Sequence, residues 1–248
     1  MKLFTNGCSF TWGGSICPSL WDNNGNNLDW ENTSDINQQR IRSVWPYHLS
    51  RHLNVDHVNL SMGSGSNERI VRTTLDYFTN LILNGQYDHV NGQYDHEWVA
   101  IIQWTQSPRF EFWDDIAKCW AMCLPTGSTT SNSTENEHQQ YNDHFQNMHY
   151  RYCNDKTYSH KYFQQVTTLA CFFEKHHIKY WFSNLDKMVF THLEPAQQQY
   201  LRTHVNWIKS VRAYFGYLFD DQTDSGHPSL YGHQQIADNI YDIIKDQV

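Results

Sequence analysis

Five consecutive apolar residues, Trp98-Val99-Ala100-Ile101-Ile102, constrain the fold of this chain more than any other stretch. A strand with one wet face alternates apolar and polar side chains, whereas an unbroken apolar run suits a strand covered on both faces, in the middle of a parallel sheet. Parallel neighbours need long crossovers, usually helical, and the chain has candidates on both sides of the run. Leu3-Phe4-Thr5 reads as a short strand ending at Gly7, and a helix over 43–53 carries Val44, Tyr47, His48 and Leu49 at one-face spacing. Residues 55–60 read as a second strand. The turn Ser61-Met62-Gly63-Ser64-Gly65-Ser66 then leads into a helix from Asn67 with Ile70, Val71, Leu75, Phe78, Leu81 and Ile82 on its apolar side. Later segments repeat the alternation: a helix over 158–176, a strand over 178–182, a helix over 196–214, a short run at 217–219 and a last helix over 230–244. This pattern predicts a three-layer α/β/α sandwich with right-handed crossovers and a mainly parallel sheet of about five strands. Sites in such sheets form beyond the carboxyl ends of the strands. Ser9, the turn at 61–67, the segment 103–107 and the segment 224–227 all follow strand ends.

At 248 residues the chain is expected to form one domain over 1–248, with polar insertions near 18–39 and 124–147. Aromatic residues make up 15% of it, so Trp, Tyr and Phe supply core volume that a modest aliphatic content does not. A formal charge of -8 and the lack of any Lys/Arg-rich run argue against nucleic-acid binding. No apolar stretch approaches the roughly 20 residues that a membrane span needs, and Met1-Lys2-Leu3-Phe4-Thr5-Asn6 is too short and polar for a signal core. The expectation is a soluble, cytoplasmic protein. The six cysteines include no CxxC pair and read as reduced thiols. Cys119 and Cys123 have the spacing to share a helix face, but no second ligand pair follows, so neither a metal nor a cofactor is expected. Asn84-Gly85-Gln86-Tyr87-Asp88-His89 recurs seven residues later at 91–96, and reads as a lengthened surface loop.

The chemistry lies at the two ends. Gly7-Cys8-Ser9-Phe10-Thr11-Trp12-Gly13 and Asp224-Ser225-Gly226-His227-Pro228 hold a serine, an aspartate and a histidine. A serine hydroxyl is a weak nucleophile at neutral pH unless an imidazole takes its proton and a carboxylate fixes that imidazole's tautomer. A three-residue step from Asp to His lets both side chains reach one site from a single turn. Cys8 reads as a small buried thiol rather than a second nucleophile.

These blocks, with the Gly232-His233-Gln234-Gln235-Ile236-Ala237 continuation, resemble the SGNH (GDSL-type) hydrolases; Cys8 stands where that family has aspartate. The resemblance implies the flavodoxin-like fold of the family, Ser9 as nucleophile, His227 as general base and then acid, and Asp224 as its orienter. It also implies an oxyanion hole from the backbone of Ser9, a backbone N–H of either Ser64 or Gly65, and a third-block side chain. There the family's Gly-x-Asn-Asp is replaced by Gln103-Trp104-Thr105-Gln106, with Thr105 on the asparagine position. Thr105, Gln106 or Asn67 supplies the missing donor, or the enzyme is slow. The Trp-Thr-x-Ser-Pro-Arg form resembles SGNH-like proteins of tailed phages, which would place the protein in a host cytoplasm.

The implied activity is hydrolysis of a small-molecule or glycan ester, with carbohydrate O-deacetylation, lipase-like and thioesterase-like substrates all open and the oligomeric state undetermined. Trp12 and Trp104 flank the site and could stack on a sugar ring or pack in the core. Arg109 either binds a substrate carboxylate or phosphate or pairs with Glu111, Asp114 or Asp115. The rival readings are a catalytically weakened binding module on the same fold and a phage structural or interaction protein.

Overall fold

The computed structural model describes residues 1–14, 16, 34–86, 97–105, 108–115, 118–123, 147, 151, 154–185, 191–209, 218–221 and 226–248. Four parallel strands, β1 (Lys2–Asn6), β2 (Asp56–Asn59), β3 (Trp98–Trp104) and β6 (Lys179–Asn184), form a sheet in the order β2-β1-β3-β6. The register pairs Asn6 with Ile102 between β1 and β3, and Trp104 with Asn184 between β3 and β6. β4 (Phe110–Asp114) and β5 (Cys119–Cys123) form a separate antiparallel pair.

The apolar run of β3 is buried throughout because its side chains feed two cores. Trp98, Ala100, Ile102 and Trp104 join Phe4 and Phe182 against α4 (Asn67–Leu83), α5 (Asp155–Lys175) and α6 (Pro195–His204). Val99 and Ile101 join Leu3 and Trp181 against α3 (Trp45–Leu53) and α7 (Leu230–Ile244). Helices on both faces of a parallel sheet make this the α/β/α arrangement expected from the sequence. The strand order reverses between β1 and β3: the chain passes from β1 to β2 on one side, then crosses to β3 on the other. That is the switch point at which the carboxyl ends of parallel strands open a crevice.

Several boundaries differ from expectation, each for a local reason. The region expected to be irregular up to residue 39 is helical from 34, as α2 (Ser34–Ser43); Val44 is extended and separates it from α3, which starts with Pro46 in its first turn. Residues 18–33 lie outside the described residues, as do 87–96 of the duplicated segment and 124–146. The helix expected to reach residue 214 ends at His204. Val205 is extended, and Trp207 makes a parallel bridge to Phe182 at the fifth-strand position, beside β6. Leu218 and Phe219 are buried but form no described strand. Cys119 and Cys123 end a strand, not a helix turn; four strand steps separate them by about 13 Å of backbone rise. Among the described residues no group of His, Cys, Asp and Glu has a metal-binding arrangement, and no helix is long and apolar enough to cross a membrane.

Candidate functional site

β1 ends in Asn6, whose buried amide ties the strand to α4: Nδ2 donates to Ile70 O, Thr73 Oγ1 and Thr74 Oγ1 at 2.9–3.2 Å, and Oδ1 accepts from Gly7 N at 2.9 Å. The next residues turn at once into α1 (Ser9–Trp12), a single turn starting at Ser9. Gly7 is required by close approach, since a Cβ there would lie 2.5 Å from Thr11 Oγ1.

Gln103 holds this turn in place from β3. Its Oε1 accepts from Cys8 N at 3.4 Å, Cys8 Sγ at 3.3 Å and Thr11 Oγ1 at 3.1 Å, while its Nε2 donates to Trp104 O at 2.7 Å. The Cys8 thiol is fully buried in this bond, a structural position rather than a reactive one. The sequence motifs include Gln103 in the third block but assign neither it nor Asn6 this bracing role. The available signal was a fully polar side chain inside an apolar strand run, which folds only if its hydrogen bonds are met.

At the other end of the chain, α7 is capped by Ser229, whose Oγ accepts from Gly232 N at 3.1 Å and also bonds the Asp221 carboxylate. Ser229 N donates to Asp221 O at 3.1 Å, so the segment from 221 to 229 is closed at its base. His227 projects from that segment. Its Nε2 lies 2.8 Å from Ser9 Oγ, and the Phe10 ring packs against its imidazole with centroids 4.6 Å apart. Asp224 lies outside the described residues, as do Gln106 and Ser107.

Behind His227, His233 is buried and accepts from Trp45 N at 3.1 Å through Nδ1, which assigns its proton to Nε2. Burial, reinforced by the neighbouring His48 and His227, pushes its pKa down to about 3. The unfolded chain therefore binds one more proton at this residue between about pH 6.5 and pH 3, and stability falls as pH is lowered through that window. For one proton the slope approaches about 1.4 kcal/mol per pH unit. Urea melts at stepped pH should show this slope and a shallower one in His233→Asn, whose Oδ1 can still accept from Trp45; parallel slopes would contradict it.

The second glycine turn packs against the first, with Met62 N donating to Gly7 O at 3.2 Å. Gly65 N donates to Met62 O at 3.1 Å within the turn, whereas the N–H groups of Ser9 and Ser64 make no hydrogen bond among the described residues. Ser64 has φ 62, a left-handed conformation that a non-glycine residue rarely adopts. Asn67 spends its amide on Thr105: Oδ1 accepts from Thr105 N at 2.9 Å and Nδ2 donates to Thr105 O at 3.3 Å. The Thr105 hydroxyl, on a residue only 1% exposed, has no hydrogen-bond partner among the described residues.

The structure narrows the alternatives left open for three candidate binding residues. Trp104 is fully buried, edge-on to Tyr162 and Phe182, so its ring is core and unavailable to a sugar. Trp12 has the Arg40 guanidinium over its ring at 4.4 Å, and Arg40 also bonds the Trp12 carbonyl. Arg109 does not pair with Glu111. Arg72 takes that carboxylate with two bonds of 2.9 Å.

A family model described as "Family of unknown function (DUF6071)" matches residues 27–229, a span that includes His227 and starts after Ser9. No curated protein matches the sequence. Among solved structures, a protein of the lipolytic G-D-S-L family from Desulfitobacterium hafniense DCB-2 is similar at 12% identity and TM-score 0.44, covering 98% of both chains. The acetyl xylan esterase Est2A from Butyrivibrio proteoclasticus is similar at 13% identity and TM-score 0.47, over 99% of this chain and 64% of its own. A carbohydrate esterase whose active site displays divergent catalytic and non-catalytic binding functions is similar at 15% identity and TM-score 0.44, over 99% of this chain and 65% of its own.

Proposed function

We propose that this chain, which belongs to the DUF6071 family of unknown function, is a serine hydrolase that cleaves an oxygen ester through an acyl-enzyme. The observation that carries the reading is the 2.8 Å contact between Ser9 Oγ and His227 Nε2, two residues 218 positions apart. At that distance a neutral imidazole accepts the hydroxyl proton as Oγ attacks the ester carbon. His227 then gives the proton to the departing alcohol. In the second half a water, deprotonated by the same imidazole, releases the acid and restores Ser9. Asp224 is assigned to His227 Nδ1–H, where its carboxylate would hold the tautomer and stabilise the imidazolium.

The tetrahedral intermediate needs donors aimed at its oxyanion, and those not already used are its candidates. Ser9 N–H is at the first position of α1, where no carbonyl precedes it in the helix. Ser64 N–H is preferred over Gly65 N–H, which is spent on Met62. Thr105 Oγ1 is preferred over the Asn67 amide, which is spent on Thr105's own backbone. The substrates in view are acyl esters of small or carbohydrate alcohols.

A fluorophosphonate probe tests the reading: it should modify Ser9 in the folded protein, shown by peptide mass spectrometry, and should not do so in His227→Ala. An unmodified Ser9 in the wild-type protein would end it. Thr105→Val separates the oxyanion role from packing. Loss of one such donor raises the barrier by about 2.7 to 4 kcal/mol, so kcat should fall roughly 10²-fold or more with KM little changed. Because the hydroxyl has no partner among the described residues, the melting temperature should hold or rise. A kcat equal to wild type would remove Thr105 from the reaction.

A further inference from the structure

We propose that Gln103 is the positioning residue for the Ser9 nucleophile: one buried amide fixes where α1 stands, and with it the distance from Ser9 Oγ to the imidazole. The proposal rests on the serine-hydrolase reading and adds a residue that touches no reacting atom. α1 cannot place itself. It is a single turn, and a first turn fixes more dihedrals than its own bonds repay, so its position depends on anchors from other elements. Its N-cap supplies none, because Cys8 makes no side-chain cap bond and its thiol turns instead to Gln103.

The amide on β3 grips this turn at two points. Oε1 accepts from Cys8 N at 3.4 Å, where α1 begins, and from Thr11 Oγ1 at 3.1 Å, three residues on. Residues three apart share a helix face, so two bonds to one oxygen fix the rotation of the turn as well as its place. Ser9 and Phe10 lie between them in sequence, and both meet His227, Ser9 through Oγ at 2.8 Å and Phe10 through its ring. The same turn thus meets Gln103 through residues 8 and 11 and His227 through residues 9 and 10. The amide has one workable orientation, since Cys8 N can only donate and Trp104 O can only accept. The bond from Nε2 to Trp104 O, at 2.7 Å, locks it. Gln103, Cys8 and Thr11 are all fully buried, so bulk water cannot take the amide's place.

Gln103→Met and Gln103→Glu test this, with circular dichroism confirming the fold at the assay temperature. Methionine matches the length of glutamine but replaces neither bond. With α1 released, a displacement of Ser9 near 1 Å should lower kcat for a short-chain aryl ester about 100-fold, with KM within about threefold of wild type. Glutamate, assayed at about pH 6, should recover most of that loss: burial keeps its carboxyl protonated, so one oxygen accepts where Oε1 did and the O–H donates to Trp104 O. In crystal structures, Ser9 Oγ should stand beyond hydrogen-bond reach of His227 Nε2 in Gln103→Met and within it in Gln103→Glu. A wild-type kcat in Gln103→Met, a loss carried by KM, a Gln103→Glu no better than Gln103→Met, or an unmoved Ser9 overturns the proposal. If Gln103→Met does not fold, Thr11→Val removes one of the two grips alone and should lower kcat several-fold; an unchanged kcat there overturns it too. The distance from Ser9 to His227 is read without turnover, so it tests the anchor even if no ester is cleaved, whereas an unmodified Ser9 in the fluorophosphonate experiment ends the hydrolase reading alone.

Discussion

Replacing His227 with alanine is expected to lower kcat for a short-chain aryl ester by roughly 10⁴- to 10⁶-fold, while circular dichroism and the melting temperature stay close to wild type. The magnitude follows from what the imidazole does. Without a base 2.8 Å from Oγ, the serine attacks as a neutral hydroxyl and the leaving alcohol departs without a proton. The fold should tolerate the change because His227 projects from a loop closed behind it by the bonds of Ser229 to Asp221. Ser9→Ala should cost about as much, and the double variant little more than either, because groups acting as one unit are not additive. A His227→Ala enzyme within tenfold of wild type would remove the imidazole from the mechanism.

The second large effect is expected from Gly232→Ala, in a residue that touches no reacting atom. A Cβ at 232 would lie 2.2 Å from the backbone carbonyl oxygen of Asp221, a contact that no rotamer change relieves because the Cβ is fixed by its own backbone and the oxygen is main chain. Either α7 shifts away from the loop or the loop opens. The first disturbs the core that Ile236, Ile240 and Ile244 make with Leu3, Val99 and Ile101; the second moves His227. Overpacking of this kind costs about 1–3 kcal/mol, occasionally more, which urea unfolding would register as a lowered midpoint. Folded Gly232→Ala should also lose much of its fluorophosphonate labelling. Wild-type midpoint and labelling rate together would show that the loop yields freely.

The layered fold was legible in the sequence because burial on both faces leaves an unmistakable trace, and β3 is apolar at every position except Gln103. The last helix was legible to the residue, 230–244, since Ser229 caps it and its isoleucines recur at helical spacing. The β4–β5 pair was not. Its strands are short and mix Glu111 and Asp114 with aromatics, and the partner of Glu111 is Arg72 on α4, a contact no local pattern announces. In the site, the approach of Ser9 to His227 was foreseeable from the two end blocks. The choice among donors was not, because it depends on which groups are already spent, as with Asn67 on Thr105 and Gly65 on Met62. Trp104 was open between stacking and packing for a related reason: an aromatic beside a site reads the same in sequence whether it faces the crevice or, as here, the core.

The order β2-β1-β3-β6 puts the earliest of these four strands in chain order in the interior of the sheet, between neighbours made about 50 and 100 residues later. Until those neighbours are made, β1 has no sheet partner on either edge. The histidine that meets Ser9 arrives 218 residues after it, and the helix that closes that segment later still. Contacts this distant in sequence are formed late, after shorter loops have closed. On the proposed chemistry, a partly synthesised or prematurely terminated chain carries the nucleophile without its base, so hydrolytic capacity appears only once both outer helical layers are in place. Recovery of activity would then time the final docking step of synthesis or refolding.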